Sequence, residues 1–87
     1  MDLTECRMKL DQIDQKIVQL LEERMEISEA VAAYKAAHGL PVLDEAREAE
    51  KLRTVASLTK EEKNKTAVTE LFIKIMEESR KRQETII

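Results

Sequence analysis

The segment from Leu3 to Ala37 contains neither glycine nor proline, and this uninterrupted stretch restricts the possible folds more than any other feature of the chain. Apolar side chains recur along it at alternating steps of three and four residues. This spacing predicts one long helix that packs against other helices through a single apolar stripe. The stripe consists of Leu3, Cys6, Leu10, Ile13, Ile17 and Leu20 and, after one interrupted position, of Ile27, Val31 and Tyr34. We expect the helix to end at His38-Gly39, because glycine adopts the left-handed conformation readily and Pro41 prevents continuation.

Two further helices are predicted after this turn. Asp44 has the position of an N-cap and begins a short second helix that extends to about Leu58. Thr59 and Glu62 have the spacing of a capping box, which predicts a long third helix from there to near the C-terminus. The chain has one glycine and one proline, so its composition favours helix throughout. We therefore expect an all-α fold with three helices in a single domain over residues 1–87.

The first helix is too long for its own chain to cover. Its length of about 35 residues corresponds to roughly 50 Å, whereas a compact chain of this size has a diameter of roughly 30 Å. The apolar stripe nevertheless continues to both ends of the helix, so it needs a partner. Since an identical chain is the simplest partner, we predict an intertwined homodimer.

Composition narrows the classes of function. The formal net charge is −3, which argues against a nucleic-acid partner because no basic field would attract phosphates. No segment approaches the roughly 20 apolar residues of a membrane span, and the N-terminal residues lack the pattern of a secretory signal. Cys6 is the only cysteine, so no internal disulfide can form. These features predict a cytoplasmic protein without a membrane partner.

Polar residues occupy some positions on the apolar stripes of the helices, where buried apolar residues are expected. The apolar stripe of the first helix is continued by Arg24, and Lys35 returns to within about 20° of it around the axis at about 100° per residue. A cation on such a face is costly unless an anion meets it. Glu48 lies on the apolar stripe of the second helix, and Ser79 and Gln83 extend that of the third. The two cations flank a patch containing Ser28, Val31 and Ala32.

Arg7 borders the same stripe at the opposite end of the first helix. It lies about 25 Å from Arg24 and about 42 Å from Lys35 along the axis, too far for one small ligand. In an antiparallel dimer, however, Arg7 of one chain approaches the two cations of the other. The resulting pocket suits a small, multiply anionic molecule that bears a hydroxyl group. Each residue alone could instead form an ordinary ion pair or be solvated, and it is their coincidence on three inner faces that favours a site.

Five sequence elements, in order and spanning about residues 5 to 83, together match a known pattern. They are Arg7 followed by Ile13-Asp14, Leu20-Leu21-x-x-Arg24, Val31-x-x-x-Lys35, Pro41-Val42-x-Asp44-x-x-Arg47-Glu48 and Ser79-x-x-x-Gln83. No single element is specific, but the set resembles the all-α (AroQ-type) chorismate mutases.

The resemblance implies an intertwined dimer with two equivalent active sites, each completed by one residue of the partner chain. It also implies an isomerase that converts chorismate to prephenate in the shikimate pathway, the branch step towards phenylalanine and tyrosine, without a cofactor or a metal. The implied catalytic residues are Arg24, Lys35, Glu48 and Gln83. The implied substrate-binding residues are Arg7 (from the partner chain), Arg24, Lys35, Asp44, Arg47, Glu48, Ser79 and Gln83.

Two alternatives share this scaffold. An isochorismate-pyruvate lyase uses a nearly identical cationic set, so residue types hardly separate it from a mutase. The second is a non-catalytic helical dimer that regulates a partner enzyme. The sequence argues against it, because such a protein could lose Lys35 or Gln83 freely and this chain has both. Arg80 departs from the family pattern, because it adds a charge near the pocket rim where an apolar residue is expected.

Overall fold

The computed structural model describes residues 1–86 as three α-helices joined by short connections. Helix α1 spans Leu3–His38, α2 spans Glu45–Leu58 and α3 spans Lys65–Ile86, with a 3₁₀ turn at Glu62–Asn64 between α2 and α3. The predicted all-α fold, with a very long first helix, a short second and a long third, is confirmed.

The turn between α1 and α2 is defined by backbone geometry. Gly39 has a φ of 64°, and the N–H of Leu40 donates to the carbonyl of Lys35 at 2.9 Å. This is the arrangement by which a left-handed glycine satisfies the last carbonyls of a helix. A short loop follows, and the Asp44 carboxylate then accepts the N–H of Arg47 at 3.0 Å as the N-cap of α2. Both predicted helix boundaries are therefore present.

The predicted capping box at Thr59 was wrong. The Thr59 hydroxyl donates to the carbonyl of Val55 at 2.8 Å, so it satisfies the last turn of α2 and is not turned towards a following helix. The chain then makes the 3₁₀ turn, and α3 begins only at Lys65. A hydroxyl directly after a helix can donate to the carbonyls of that helix or accept from the N–H groups of the next one, and that of Thr59 donates to a carbonyl.

Helix α3 lies between the other two and packs against both. Each helix contributes one apolar side chain to the buried core, namely Ala32, Val55 and Met76. Because Ala32 belongs to the C-terminal half of α1, this core lies at one end of the long helix. The polar contacts between α1 and α3, such as Ser28 with Ser79, lie in the same half.

The N-terminal half of α1 extends beyond this core. The molecule measures 54 Å along its longest axis, and its radius of gyration is 15.9 Å, against about 12 Å for a compact chain of this length. Large side chains of the apolar stripe, from Leu3 to Tyr34, remain 39% to 64% exposed. Within residues 1–86, none of the helices combines the length and apolar character needed to cross a membrane.

Candidate active site

A pocket of about 340 Å³ opens between the C-terminal half of α1, the start of α2 and the end of α3. Seven of the residues proposed from the sequence line it, namely Arg24, Lys35, Asp44, Arg47, Glu48, Ser79 and Gln83. Arg7 does not belong to this lining. It is exposed on α1, about 25 Å from Arg24 along the helix axis.

Lys35 connects three parts of the chain. Its ammonium group donates to the carbonyl of Val42 at 2.6 Å and to Oε1 of Gln83 at 2.9 Å. The side chain thereby joins α1 to the following loop and to α3. A lysine ammonium carries three N–H donors, so one donor is still available to a ligand in the pocket.

Gln83 is held in one orientation. It is only 7% exposed, and since an ammonium group has no acceptor, the amide oxygen must be the atom that faces Lys35. The amide nitrogen then lies 3.4 Å from the hydroxyl of Ser79, to which it donates. A second N–H remains on that nitrogen and can be offered to a ligand beside the Lys35 ammonium.

The row of hydrogen bonds continues into α1. The Ser28 hydroxyl donates to the carbonyl of Arg24 at 2.9 Å, so Ser79 is the donor in the 2.6 Å contact between the two serine hydroxyls. The sequence placed Ser28 only in the patch between the cations and gave it no role. The signal was present, because a hydroxyl four residues after Arg24 on a dry face needs a partner.

Positive charge dominates the pocket although the chain is acidic overall. Five cations line it, namely Arg24, Lys35, Arg47, Lys51 and Arg80, against the two carboxylates of Asp44 and Glu48. Arg24 is half-buried, and within residues 1–86 no carboxylate lies in salt-bridge distance of it. A partly desolvated cation in a cationic cleft favours an anionic ligand.

Arg47 and Glu48, in the first turn of α2, have different partners. Glu48 accepts from Nη1 of Arg80, which lies 2.5 Å from both of its carboxylate oxygens. Arg47 instead forms an exposed salt bridge with Glu50 at 3.0 Å. Lys51 and Arg80 also line the pocket. The sequence placed Arg80 near the pocket rim without a role and did not single out Lys51. The contact of Arg80 with Glu48 depends on how α2 and α3 pack, which periodicity within one helix does not reveal.

Comparison with known proteins decides the family. The model of the family described as chorismate mutase type II matches residues 6–84, which is nearly the whole chain. This chain belongs to the chorismate mutase type II family. The family expected from the sequence is thus confirmed.

Two relatives of this chorismate mutase type II chain are informative. A chorismate mutase of Methanocaldococcus jannaschii is 44% identical over 46 residues, which cover 53% of this chain and 46% of that protein. The match therefore spans about half the length of the curated relative. A solved structure of a conserved hypothetical protein from Pyrococcus furiosus superposes with a TM-score of 0.77 at 34% identity, and 93% of each chain is covered. The helical architecture of the two chains is therefore similar over nearly their whole length.

The pocket of this chorismate mutase type II chain has groups that can bind a ligand and polarise it. Its donors are arginine, lysine, amide and hydroxyl groups, and an apolar wall of Ile27, Val31, Val42 and Met76 completes the lining. Among the described residues, the lining includes neither histidine nor cysteine. Such a site can hold an anion in one conformation and stabilise negative charge that develops on it.

We predict that Ser28→Ala lowers the free energy of unfolding by about 1 kcal/mol, because it removes the acceptor of the half-buried Ser79 hydroxyl. The double variant Ser28→Ala/Ser79→Ala should lose less than the sum of the two single changes, because each removes the same contact. Urea unfolding at one fixed chain concentration measures both.

Ser57→Ala is the matched control for this prediction. Ser57 is an exposed residue of α2 whose hydroxyl donates within its own helix, to the carbonyl of Thr54. Its replacement should change the stability by less than about 0.5 kcal/mol. Strict additivity of Ser28→Ala and Ser79→Ala would contradict the observed contact.

Proposed function

We propose that this chain is a chorismate mutase, an isomerase that rearranges chorismate to prephenate in the biosynthesis of phenylalanine and tyrosine. The observation that carries the proposal is the pair formed by Lys35 and Gln83. Their side chains are 2.9 Å apart, and each is anchored by a further hydrogen bond. Each also retains an N–H donor for the ligand, inside a pocket rich in cations. The named relative from Methanocaldococcus jannaschii supports the same activity.

The reaction needs donors but no nucleophile, general base or metal. In this pericyclic [3,3] rearrangement the ether C–O bond breaks as a C–C bond forms, and all atoms remain in the product. Negative charge grows on the ether oxygen in the transition state. The remaining N–H groups of Lys35 and Gln83 would donate to that oxygen, and because both side chains are already held in place, little reorganisation would be needed.

The substrate is a dianion, and the arginines supply its counter-charges. Arg24 has no carboxylate partner among the described residues, so its guanidinium can hold one substrate carboxylate. Arg7 of the partner chain would hold the other, and Arg47 and Ser79 would support the bound conformation. Glu48, with the backbone near Asp44, would accept a hydrogen bond from the ring hydroxyl. The apolar wall at Val31 would exclude water while the compact chair-like conformation reacts.

The exposed surface of the chain supports the homodimer on which this scheme depends. The chain exposes 6983 Å², whereas a folded monomer of its mass, 10.0 kDa, exposes about 5,200 Å². The excess of about 1,700 Å² is larger than the roughly 800 Å² that one partner contributes to a standard interface. The apolar stripe of α1 provides the surface that a second copy would cover.

The loss of chorismate absorbance with purified protein tests the proposal directly. We expect enzyme-dependent formation of prephenate, and Lys35→Met should lower kcat/KM by about 10²- to 10³-fold because it removes one donor to the ether oxygen. Isochorismate should be supplied in parallel. Release of pyruvate from isochorismate without any prephenate from chorismate would identify a lyase and refute the mutase assignment.

Gln83→Glu should make the activity dependent on pH. An amide donates at any pH, whereas a carboxyl group donates only when it is protonated. Wild-type kcat/KM should therefore persist above neutral pH, and that of the variant should fall about tenfold for each pH unit above the pKa of the new carboxyl group. The measurement is a pH profile of kcat/KM for both proteins. Parallel profiles would mean that Gln83 does not donate to the reacting oxygen.

Mixing two inactive chains tests the shared site. Arg7→Ala and Lys35→Ala chains should each form homodimers of very low activity. After the two are unfolded and refolded together, a heterodimer has both lesions in one pocket and none in the other, so about a quarter of all sites should be intact. Activity near that fraction supports a role of Arg7 across the interface. Heterodimers without activity would show that Arg7 does not serve the partner chain.

A further inference from the structure

We propose that Arg80 is a positioning residue, which holds the Glu48 carboxylate where it can accept the ring hydroxyl of the substrate. The inference rests on the proposed function and adds a residue to it. The contact joins the end of α3 to the first turn of α2, beside the pocket that both residues line. Arg80 lies directly after Ser79. It therefore belongs to the same turn of α3 as Ser79 and Gln83, which form part of the row of hydrogen bonds.

The geometry of the contact suits a positioning role. Nη1 of Arg80 lies 2.5 Å from each carboxylate oxygen of Glu48, and the two side chains are only 29% and 26% exposed. The other salt bridges of the described residues have at least one partner more than 40% exposed. A pair shielded from water is less screened and holds its geometry better than a solvated pair.

Glu48 needs such a restraint because other cations line the same pocket. Lys51 lies three residues later on α2 and lines the same pocket, and residues at this spacing are neighbours on a helix surface. Glu48 nevertheless pairs with Arg80 on α3. If Arg80 were absent, the flexible glutamate side chain could turn towards Lys51 or Arg24, away from the position in which it meets the hydroxyl.

The contact also leaves Glu48 able to bind substrate. A carboxylate has about four acceptor positions on its two oxygens, and a single arginine nitrogen occupies only part of them. A substrate hydroxyl can therefore donate to Glu48 while Arg80 stays in place. Arg80 then acts through Glu48, whereas Arg24 is the half-buried pocket arginine without a carboxylate partner in residues 1–86 and suits a substrate carboxylate.

The experiment measures kcat/KM for chorismate and for the analogue that lacks the ring hydroxyl. The variants are Arg80→Met, Arg80→Lys, Glu48→Gln and the double variant Glu48→Gln/Arg80→Met. Arg82→Met is the matched control. It removes an arginine two positions away on α3 and a salt bridge between helices, with Glu29 at 3.1 Å, but it leaves the pocket lining unchanged.

With chorismate, Arg80→Met should lower kcat/KM about tenfold or more, since it releases a hydrogen-bonded charged group. Arg80→Lys should restore part of that loss, because an ammonium group still pairs with Glu48 but lacks the fork of donors. Arg82→Met should stay within about twofold of wild type. With the analogue, Arg80→Met and wild type should react equally well. In the Glu48→Gln background, the Arg80→Met change should have no further effect.

Three results would overturn the inference. One is an Arg80→Met variant as active as the Arg82→Met control. The second is an equal loss of kcat/KM with chorismate and with the analogue. The third is a loss of kcat/KM in Arg80→Met that multiplies with the loss in Glu48→Gln. Either of these two would mean that Arg80 contacts substrate directly or only supports the fold. Circular dichroism checks each variant, and Arg80→Gln replaces the methionine variant if that one does not fold. A wild-type protein inactive towards chorismate would refute the proposed function and this inference together.

Discussion

The difference in length between α1 and α3 determines where every other part of the chain lies. Helix α1 has 36 residues and α3 has 22, and α3 also has to pack against α2. It therefore covers only the C-terminal half of α1. The buried core and the pocket both lie on the covered half, whereas the apolar side chains of the other half, such as Ile13, stay exposed. One pairing thus separates a half that forms the site from a half that is free to meet another surface.

The contact between α1 and α3 includes buried polar side chains, where a helical protein of this size would gain most from apolar packing. Ser28 and Gln83 are buried and lie in the row of hydrogen bonds that begins at Lys35. Within residues 1–86, no buried side-chain nitrogen or oxygen atom lacks a partner. A fully connected buried network is rigid. The chain loses some stability because polar groups replace aliphatic contacts here, but its hydrogen-bond donors are held in fixed directions. Fixed donors are what electrostatic catalysis requires.

The sequence predicted most accurately what depends on a single helix. The period of the helix fixes the angle around its axis, so Arg24 and Lys35 could be assigned to one face, and the glycine and aspartate at positions 39 and 44 marked helix ends. Contacts between helices were harder to predict from the sequence. The pair of Glu48 with Arg80 depends on how far α3 slides along α2, which no period within either helix encodes. The start of α3 failed for a related reason, because a threonine between two helices can serve either one.

The loop between α1 and α2 contributes to the pocket through its main chain. The Val42 carbonyl accepts from Lys35 at 2.6 Å, and every amino acid carries a backbone carbonyl, so this contact does not depend on the side chain at position 42. What the contact does depend on is the number of residues between Gly39 and Asp44. An insertion or deletion there would move the acceptor away from the lysine while leaving all three helices intact. Related chains should accordingly keep the length of this loop.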